Sequence, residues 1–313
     1  MNDGANWKPF EITPESIEGA PGVNSLCDYL ADTENIDKLL VEKKALAFCG
    51  FGISAGQLGR VMDLLLHGRL PYIHGNSPRT MVADKIYTST EYPPEFTISM
   101  HNELSYAATW PARLLFFCEK AASTGGATPI TDGAAWLRSL DGEVRDAFSG
   151  GIRYIQNLHG GRGLGRSWQE TFETSDRKPV EDYLSAAGAT WEWSSRGLRV
   201  SQVRPASTRH PITGSEVWFN QADQWHIATA VDSKTAVALA DVLPEEQMPQ
   251  SVRFADGTPI PDDYVLQIQR RGLESAVDQN WHPGDLLLID NVLVAHGRRP
   301  YTGNRRVLVA MSN

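Results

Sequence analysis

The stretch from Phe96 to Glu103 constrains the fold most, because its residues alternate as in a β-strand and one face of that strand is polar throughout. Residues two apart on a strand point to the same side of the sheet. That side would carry Thr97, Ser99, His101 and Glu103. A polar face of this kind lines water or a ligand rather than an apolar core. An imidazole and a carboxylate that converge there supply two of the three ligands of a facial metal site, provided that a second histidine arrives from elsewhere.

His296 is the predicted third ligand, and it ends an apolar, strand-like segment that begins at Val292. Two neutral imidazoles and one carboxylate leave the opposite face of Fe(II) open for a chelating cosubstrate and oxygen, whereas zinc sites more often use three histidines or cysteine. The pair formed by His101 and Glu103 is weak evidence alone, because about one such pair is expected by chance in a chain of this composition. The metal hypothesis therefore depends on the motifs that accompany it.

Two arginines, Arg305 and Arg306, directly precede an apolar strand at 307–310. Because successive side chains on a strand face opposite ways, one of the two arginines must point into the protein. An inward arginine in a β core needs an anion. A dicarboxylate cosubstrate would offer it a bidentate partner.

The whole chain, 1–313, reads as a single domain, with residues 1–20 as an N-terminal arm of little periodic structure. The patterns predict strands at 45–49, 96–103, 113–118, 152–158, 284–290, 292–296 and 305–311, and helices at 33–40, 55–67, 131–140, 175–184, 233–243 and 262–277. Short strands with frequent turns and interspersed helices indicate a mainly β fold with surrounding helices (α+β). A jelly-roll barrel satisfies that pattern.

Composition narrows the function classes. The formal net charge of -9 argues against non-specific nucleic-acid binding and against docking on anionic membranes. Three widely spaced cysteines argue against a disulfide framework or a zinc ribbon. The chain shows neither a secretory signal pattern nor an apolar run of transmembrane length, so we expect a cytoplasmic protein.

Taken in order, the motifs resemble the Fe(II)/2-oxoglutarate dioxygenases of the taurine dioxygenase (TauD/TfdA) family, and within it the SyrP-like branch of peptide-antibiotic pathways. The residues that carry the resemblance are His101–Glu103, Gly125–Thr128, His296–Arg298, Arg305–Val307, Thr88–Pro93, Trp168–Phe172 and Trp218–Gln221. They span most of the chain from about residue 45 onward.

The resemblance implies a clavaminate synthase-like double-stranded β-helix that uses Fe(II), 2-oxoglutarate and O2. It implies that His101, Glu103 and His296 bind the iron. It further implies that Thr128 and Arg306 bind the distal carboxylate of 2-oxoglutarate. Halogenase relatives have Gly or Ala at the position of Glu103, so a carboxylate there favours hydroxylation over halogenation.

The implied reaction is hydroxylation of an unactivated C–H bond in an amino acid, free or attached to a peptidyl carrier protein, in secondary metabolism, with release of succinate and CO2. Candidate substrate contacts are Thr97, Ser99, Arg166, Asn220 and Arg298, with Arg79 and Glu91 as weaker ones. The alternatives are desaturation or cyclisation with the same cofactors, a cupin-like metal hydrolase or isomerase, and a non-catalytic β-sandwich binding protein.

Overall fold

The computed structural model describes residues 7–72, 79–229, 243–244 and 247–313. The helix predicted at 233–243 therefore lies, except for its last residue, outside the described residues. Everything that follows concerns the described ranges.

Nineteen β-strands lie in these ranges, and most are short. They are β1 Phe10–Ile12, β2 Ala45–Phe48, β3 Met81–Ala83, β4 Ile86–Thr88, β5 Ile98–His101, β6 Arg113–Lys120, β7 Thr124–Gly125, β8 Thr128–Asp132, β9 Ile152–His159, β10 Thr190–Trp193, β11 Gly197–Arg204, β12 Ser207–Arg209, β13 Glu216–Trp218, β14 Gln250–Phe254, β15 Val277–Gln279, β16 Leu286–Asp290, β17 Val294–Arg298, β18 Tyr301–Thr302 and β19 Arg306–Ser312.

Nine α-helices accompany the strands in the same ranges. They are α1 Val23–Leu30, α2 Thr33–Lys43, α3 Leu58–Leu65, α4 Gly133–Ser139, α5 Gly142–Ala147, α6 Trp168–Phe172, α7 Arg177–Ala186, α8 Ala222–Trp225 and α9 Asp262–Glu274. Within the described part of the chain, no helix combines the length and the apolar character that crossing a membrane requires.

Two sheets form the body of the fold. The major sheet has the order β1-β2-β16-β6-β19-β4-β3, and the minor sheet has the order β15-β8-β17-β5. All neighbouring strands in both sheets are antiparallel except β1 and β2. A further antiparallel sheet, β10-β11-β9-β14, comes from the segment between β8 and β15.

Both faces of the major sheet are buried, which explains its continuous apolar strands. In β6, Leu114 and Phe116 pack in the core shared with the minor sheet, whereas Leu115 and Phe117 pack in a second core with helices α1 to α3. Two antiparallel sheets around an apolar core, with helices outside, confirm the predicted jelly-roll architecture.

The N-terminal arm differs from its prediction. Strand β1 pairs in parallel with β2, with Phe10 opposite Leu46, and the side chain of Ile12 is 1% exposed in the helix-side core. Residues 10–12 therefore extend the major sheet by one strand instead of remaining irregular.

At two positions near the site, close backbone contacts leave room only for glycine. A Cβ on Gly297 would lie 2.5 Å from the carbonyl oxygen of Ile98, so only glycine lets β17 approach β5 this closely. Gly125 has φ +68°, and a Cβ there would lie 2.3 Å from the carbonyl oxygen of Pro300. These glycines stand beside two of the segments singled out in the sequence, those of His296 and Thr128.

Candidate metal centre and cosubstrate pocket

The structure brings His101, Glu103 and His296 together. One possible ligand atom from each lies within 4.8 Å of the others, and all three residues are buried. His101 ends β5 and pairs directly with His296 of β17, and the two ring centroids are 4.3 Å apart. Strand pairing in the minor sheet thus delivers both imidazoles to one point.

Glu103 reaches the cluster through a turn. The strand predicted at 96–103 is therefore too long at its C-terminal end. Strand β5 ends at His101, and Leu104 has φ +57°. The backbone N–H of Glu103 donates to Asn291 Oδ1 at 2.8 Å, and Asn291 Nδ2 donates to the Glu103 carbonyl at 3.1 Å. Asn291 directly follows β16, so this paired contact ties the turn to the major sheet.

A hydrogen bond holds His101 in the form that a metal needs, whereas Nδ1 of His296 is buried and has no hydrogen-bond partner in the described chain. Nδ1–H of His101 donates to the Ser99 carbonyl at 3.0 Å, which leaves Nε2 with its lone pair. The side-chain amide of Gln224 also lies 3.0 Å from Nδ1 and donates to Ser99. Nε2 of His296 lies 4.0 Å from Glu103 Oε2, beyond hydrogen-bond distance. Burial lowers the pKa of both imidazoles, so both are neutral ligands at pH 7.

This donor set fits an Fe(II) ion. Two neutral imidazoles and one carboxylate form the facial set that non-haem iron oxygenases use. The present separation of 4.0 Å between His296 Nε2 and Glu103 Oε2 would have to close to roughly 3 Å around a metal with bonds of about 2.1 Å. A shift of that size lies within the reach of side-chain rotation.

Arg79 lies against the cluster. Its Nη2 donates to Glu103 Oε2 at 2.5 Å, and its guanidinium carbon lies 4.3 Å from the centre of the Tyr72 ring. Burial acts to lower the pKa of Arg79, but the neighbouring Glu103 carboxylate outweighs it, and the net pKa is raised. The sequence marked Arg79 only as a weak substrate candidate, since nothing in its local pattern indicates a contact 24 residues away.

A second polar group lies beside the histidines. Arg305 donates from Nη2 to Thr128 Oγ1 at 3.5 Å, from Nη1 to Ser89 Oγ at 3.4 Å and from Nε to the Gly126 carbonyl at 2.8 Å. Trp281 Nε1 donates to Thr128 Oγ1 at 3.0 Å. In the described ranges, no carboxylate lies within ion-pair distance of Arg305. Burial lowers its pKa to about 10, so it remains a cation at neutral pH.

The sequence left open which of the two arginines points inward, and the structure shows that Arg305 does, whereas Arg306, which the resemblance assigned to the cosubstrate, points outward. Arg306 Nη1 lies 2.9 Å from Glu119 Oε2, and the Arg306 side chain is 47% exposed. Arg305 lines the same cavity as Val307 and the two histidines, and Val307 and Val309 pack in the core shared with the minor sheet. Alternation puts Arg306 on the other face, and its side chain reaches solvent because Arg306 is the first residue of β19, where that face is not covered.

His101, His296, Thr128, Arg305 and Arg79 line one cavity. The cavity is small, with a volume of about 30 Å³.

Two of the predicted substrate contacts have structural roles beside this cavity. The Ser99 carbonyl orients His101, as described above. Arg298 lines the cavity, but its guanidinium donates to the carbonyls of Tyr92, Pro93 and Phe96 at 2.6 to 3.1 Å. Arg298 thus fastens the loop that precedes β5.

Apart from Arg79, the other predicted contacts are not among the described residues that line the cavity. Thr97 is half-buried. Asn220 donates to the Ala206 carbonyl and accepts from the Ala222 N–H. Arg166 donates to the Glu170 carbonyl, and Glu91 accepts from the Thr88 hydroxyl at the surface. Their roles toward substrate remain predictions.

A wider cleft of about 1090 Å³ lies at the edge of the sheet that contains β9, β10 and β11. Its walls include residues 160–164, which belong to the glycine- and arginine-rich loop before Arg166, and residues 194–199. Among the described residues, none lines both this cleft and the cavity at the metal cluster. The chemistry is therefore assigned to the smaller cavity.

Comparison with known proteins gives one family. The family model "Taurine catabolism dioxygenase TauD, TfdA family" matches residues 13–311. The dapdiamide synthesis protein DdaC of Enterobacter agglomerans is 37% identical over 322 residues, covering 99% of this chain and 95% of DdaC. A clavaminate synthase-like protein of Arabidopsis thaliana is 32% identical over 287 residues, covering 88% of this chain and 83% of that protein.

The solved structure of PvcB from Pseudomonas aeruginosa has the same fold. It aligns with a TM-score of 0.53 at 15% identity, covering 99% of this chain and 88% of PvcB. Another structure of PvcB is described as that of an Fe, alpha-ketoglutarate dependent oxygenase from an isonitrile synthetic pathway. At this identity the likeness shows the fold alone, and it confirms the predicted double-stranded β-helix.

Proposed function

Because the chain belongs to the TauD/TfdA family of Fe(II)/2-oxoglutarate dioxygenases, we propose that it hydroxylates an unactivated C–H bond of an amino acid, either free or attached to a carrier protein. Family membership sets aside the predicted alternatives of a cupin-like hydrolase and a non-catalytic binding protein. The observation that carries the proposal is the buried cluster of His101, Glu103 and His296 in one cavity with Thr128 and Arg305.

The name of one similar protein supports a biosynthetic role. DdaC, which is 37% identical to this chain, is named for dapdiamide synthesis. That name supports the expected role in secondary metabolism, whereas the placement in the SyrP-like branch rests on the sequence motifs. Attachment of the substrate to a peptidyl carrier protein is part of the same proposal.

Each residue of the site has a proposed task. His101, Glu103 and His296 hold the iron, which supplies oxygen activation coupled to 2-oxoglutarate decarboxylation when it is bound. Arg305 and Thr128 bind the distal carboxylate of 2-oxoglutarate, since Arg305 is a half-buried cation that lines the cavity and lacks an acidic partner in the described chain. This assignment replaces Arg306 in the role that the sequence suggested for it.

The surrounding chain keeps these groups in place and dry. Ser99 fixes the His101 tautomer, and Asn291 fixes the backbone of Glu103. Burial of the three ligand residues removes bulk water from the reacting centre, which strengthens every charge interaction inside it.

Glu103 supports oxygenation rather than halogenation. A carboxylate in the cluster occupies the ligand position that would otherwise be open to a halide ion. Hydroxylation, desaturation and ring closure share this ligand set, so the mass of the product decides between them. Hydroxylation adds roughly 16 mass units to the substrate, and desaturation or ring closure removes roughly 2.

The proposal is tested by succinate formation in the presence of Fe(II), 2-oxoglutarate and oxygen, with free amino acids and aminoacyl carrier proteins as substrates. Succinate release that depends on one of these substrates, with a product heavier by one oxygen atom, is the expected result. Iron binding without 2-oxoglutarate turnover on any member of the set would contradict the proposal.

A matched pair of variants tests the cosubstrate assignment. Arg305→Gln should raise the KM for 2-oxoglutarate by about 10- to 100-fold, because a hydrogen bond to a charged group contributes about 1.5–3 kcal/mol. Arg306→Gln, which changes the next residue in the same way, should leave the KM within about twofold, since its surface ion pair contributes little. An effect confined to Arg306→Gln would refute the exchange of the two roles.

A further inference from the structure

Arg79 is a buried cation whose hydrogen-bonding capacity is mostly unused. Its side chain is 3% exposed. Nη2 donates to Glu103, whereas Nε and Nη1 are buried and have no hydrogen-bond partner in the described chain. Buried N–H groups without partners are costly, so they indicate a ligand that the described part of the chain does not supply.

The acceptor that Arg79 does have, Glu103, is itself a proposed metal ligand. Once a divalent metal shares that carboxylate, the charge of Arg79 is no longer balanced. The loaded site would contain the two charges of the metal and the guanidinium groups of Arg79 and Arg305, against one carboxylate. When 2-oxoglutarate adds its two negative charges, at least one positive charge in the site is still not balanced. A buried charge without a partner requires a counter-ion.

The other arginines of the cavity are already engaged. Arg305 donates to three oxygens around Thr128 and is assigned to 2-oxoglutarate. Arg298 donates to three backbone carbonyls. Among the described arginines that line the cavity, Arg79 alone keeps two nitrogens unpaired. A planar guanidinium presents its donors in the geometry that a carboxylate matches.

We propose that Arg79 is the residue that recognises an anionic group of the substrate, and that the substrate class carries a carboxylate close to the carbon that is oxidised. This inference rests on the proposed function, because Arg79 loses its counter-ion only if Glu103 binds the metal. It makes Arg79 a specificity-determining residue, and it places the anionic end of the substrate on the Glu103 side of the metal.

The test uses full-length protein loaded with Co(II), so that binding is measured without turnover. Calorimetric titration with 2-oxoglutarate comes first, and absence of binding at this step would refute the proposed function itself. With 2-oxoglutarate at saturation, the probes are acetate, butyrate and hexanoate, each compared with its primary amide. The amides have nearly the same shape and lack the charge.

Wild-type protein should bind the carboxylates at least about 10-fold more tightly than the amides, the ratio typical of a charged hydrogen bond. Arg79→Gln should reduce that ratio to near one, and Arg79→Lys should keep part of it because the charge remains. Arg299→Gln is the matched control, since Arg299 pairs with Asp278 away from the cavity. Equal binding of acid and amide by the wild type, or an undiminished ratio in Arg79→Gln, overturns the inference while leaving the 2-oxoglutarate result intact.

Discussion

Replacing Arg79 by glutamine should destabilise the metal-free protein far more than the metal-loaded protein. The side chains of Arg79 and Glu103 are 3% and 5% exposed, and their charged atoms are 2.5 Å apart. Removing one partner of such a buried pair leaves an uncompensated carboxylate, which typically costs about 3–5 kcal/mol. A chain of 313 residues unfolds with an entropy near 0.7 kcal/mol/K, so the melting temperature of the metal-free form should fall by about 5 to 8 °C.

Metal changes this cost because it becomes the counter-ion of Glu103 in place of Arg79. The same variant loaded with Co(II) should therefore lose less than half as much stability, and Co(II) should raise its melting temperature more than it raises that of the wild type. In terms of affinity, the metal should bind the variant at least as tightly as the wild type. Differential scanning calorimetry of both proteins, with and without Co(II), measures all four melting temperatures.

Arg299→Gln provides the control for this experiment. It removes an arginine from an ion pair whose side chains are 30% and 41% exposed, so it should cost less than about 1 kcal/mol in either state. Equal losses for Arg79→Gln with and without metal would refute the reasoning. That outcome would show that Arg79 stabilises the fold by packing on Tyr72 rather than by balancing Glu103.

Two further changes test the surroundings of the cluster. Asn291→Ala removes both contacts to the backbone of Glu103. We expect the affinity for Co(II), measured by equilibrium titration, to fall by about 10- to 100-fold. An unchanged affinity would contradict the anchoring role of Asn291. Burial raises the pKa of Asp223 to about 7, above the ordinary 3.8, so the native state keeps a proton that the unfolded state has released. The free energy of unfolding should therefore fall as pH rises from about 4 to 7. Asp223→Asn should stabilise the protein more at pH 8 than at pH 5, by up to about 2.7 kcal/mol in urea denaturation, because the range between pH 5 and the raised pKa spans about two pH units. Equal effects at both pH values would contradict this reasoning.

The sequence could indicate which residues form the metal cluster but not how they are held. His101 and His296 meet because β5 and β17 pair in register, and Gly297 marks the close approach of the two strands. The supporting partners come from distant positions: Asn291 is 188 residues from Glu103, and Gln224, which donates to the Ser99 carbonyl, is 125 residues from Ser99. Neither partner belongs to a local pattern, so no spacing argument could have found it.

The positions of Arg305 and Arg306 show what the alternation of side chains along a strand can and cannot predict. In β19, Val307 and Val309 face one core and Leu308 and Ala310 face the other. Because side chains alternate, Arg305 lies on the side of the valines. Both faces of β19 are buried in apolar cores, so the sequence could not say which face looks toward a ligand. That face is decided by the minor sheet, whose strands bring His296 and Thr128 to the side on which Arg305 lies. A buried strand with two apolar faces therefore reveals that an arginine points inward, but only the tertiary fold reveals which one meets the cosubstrate.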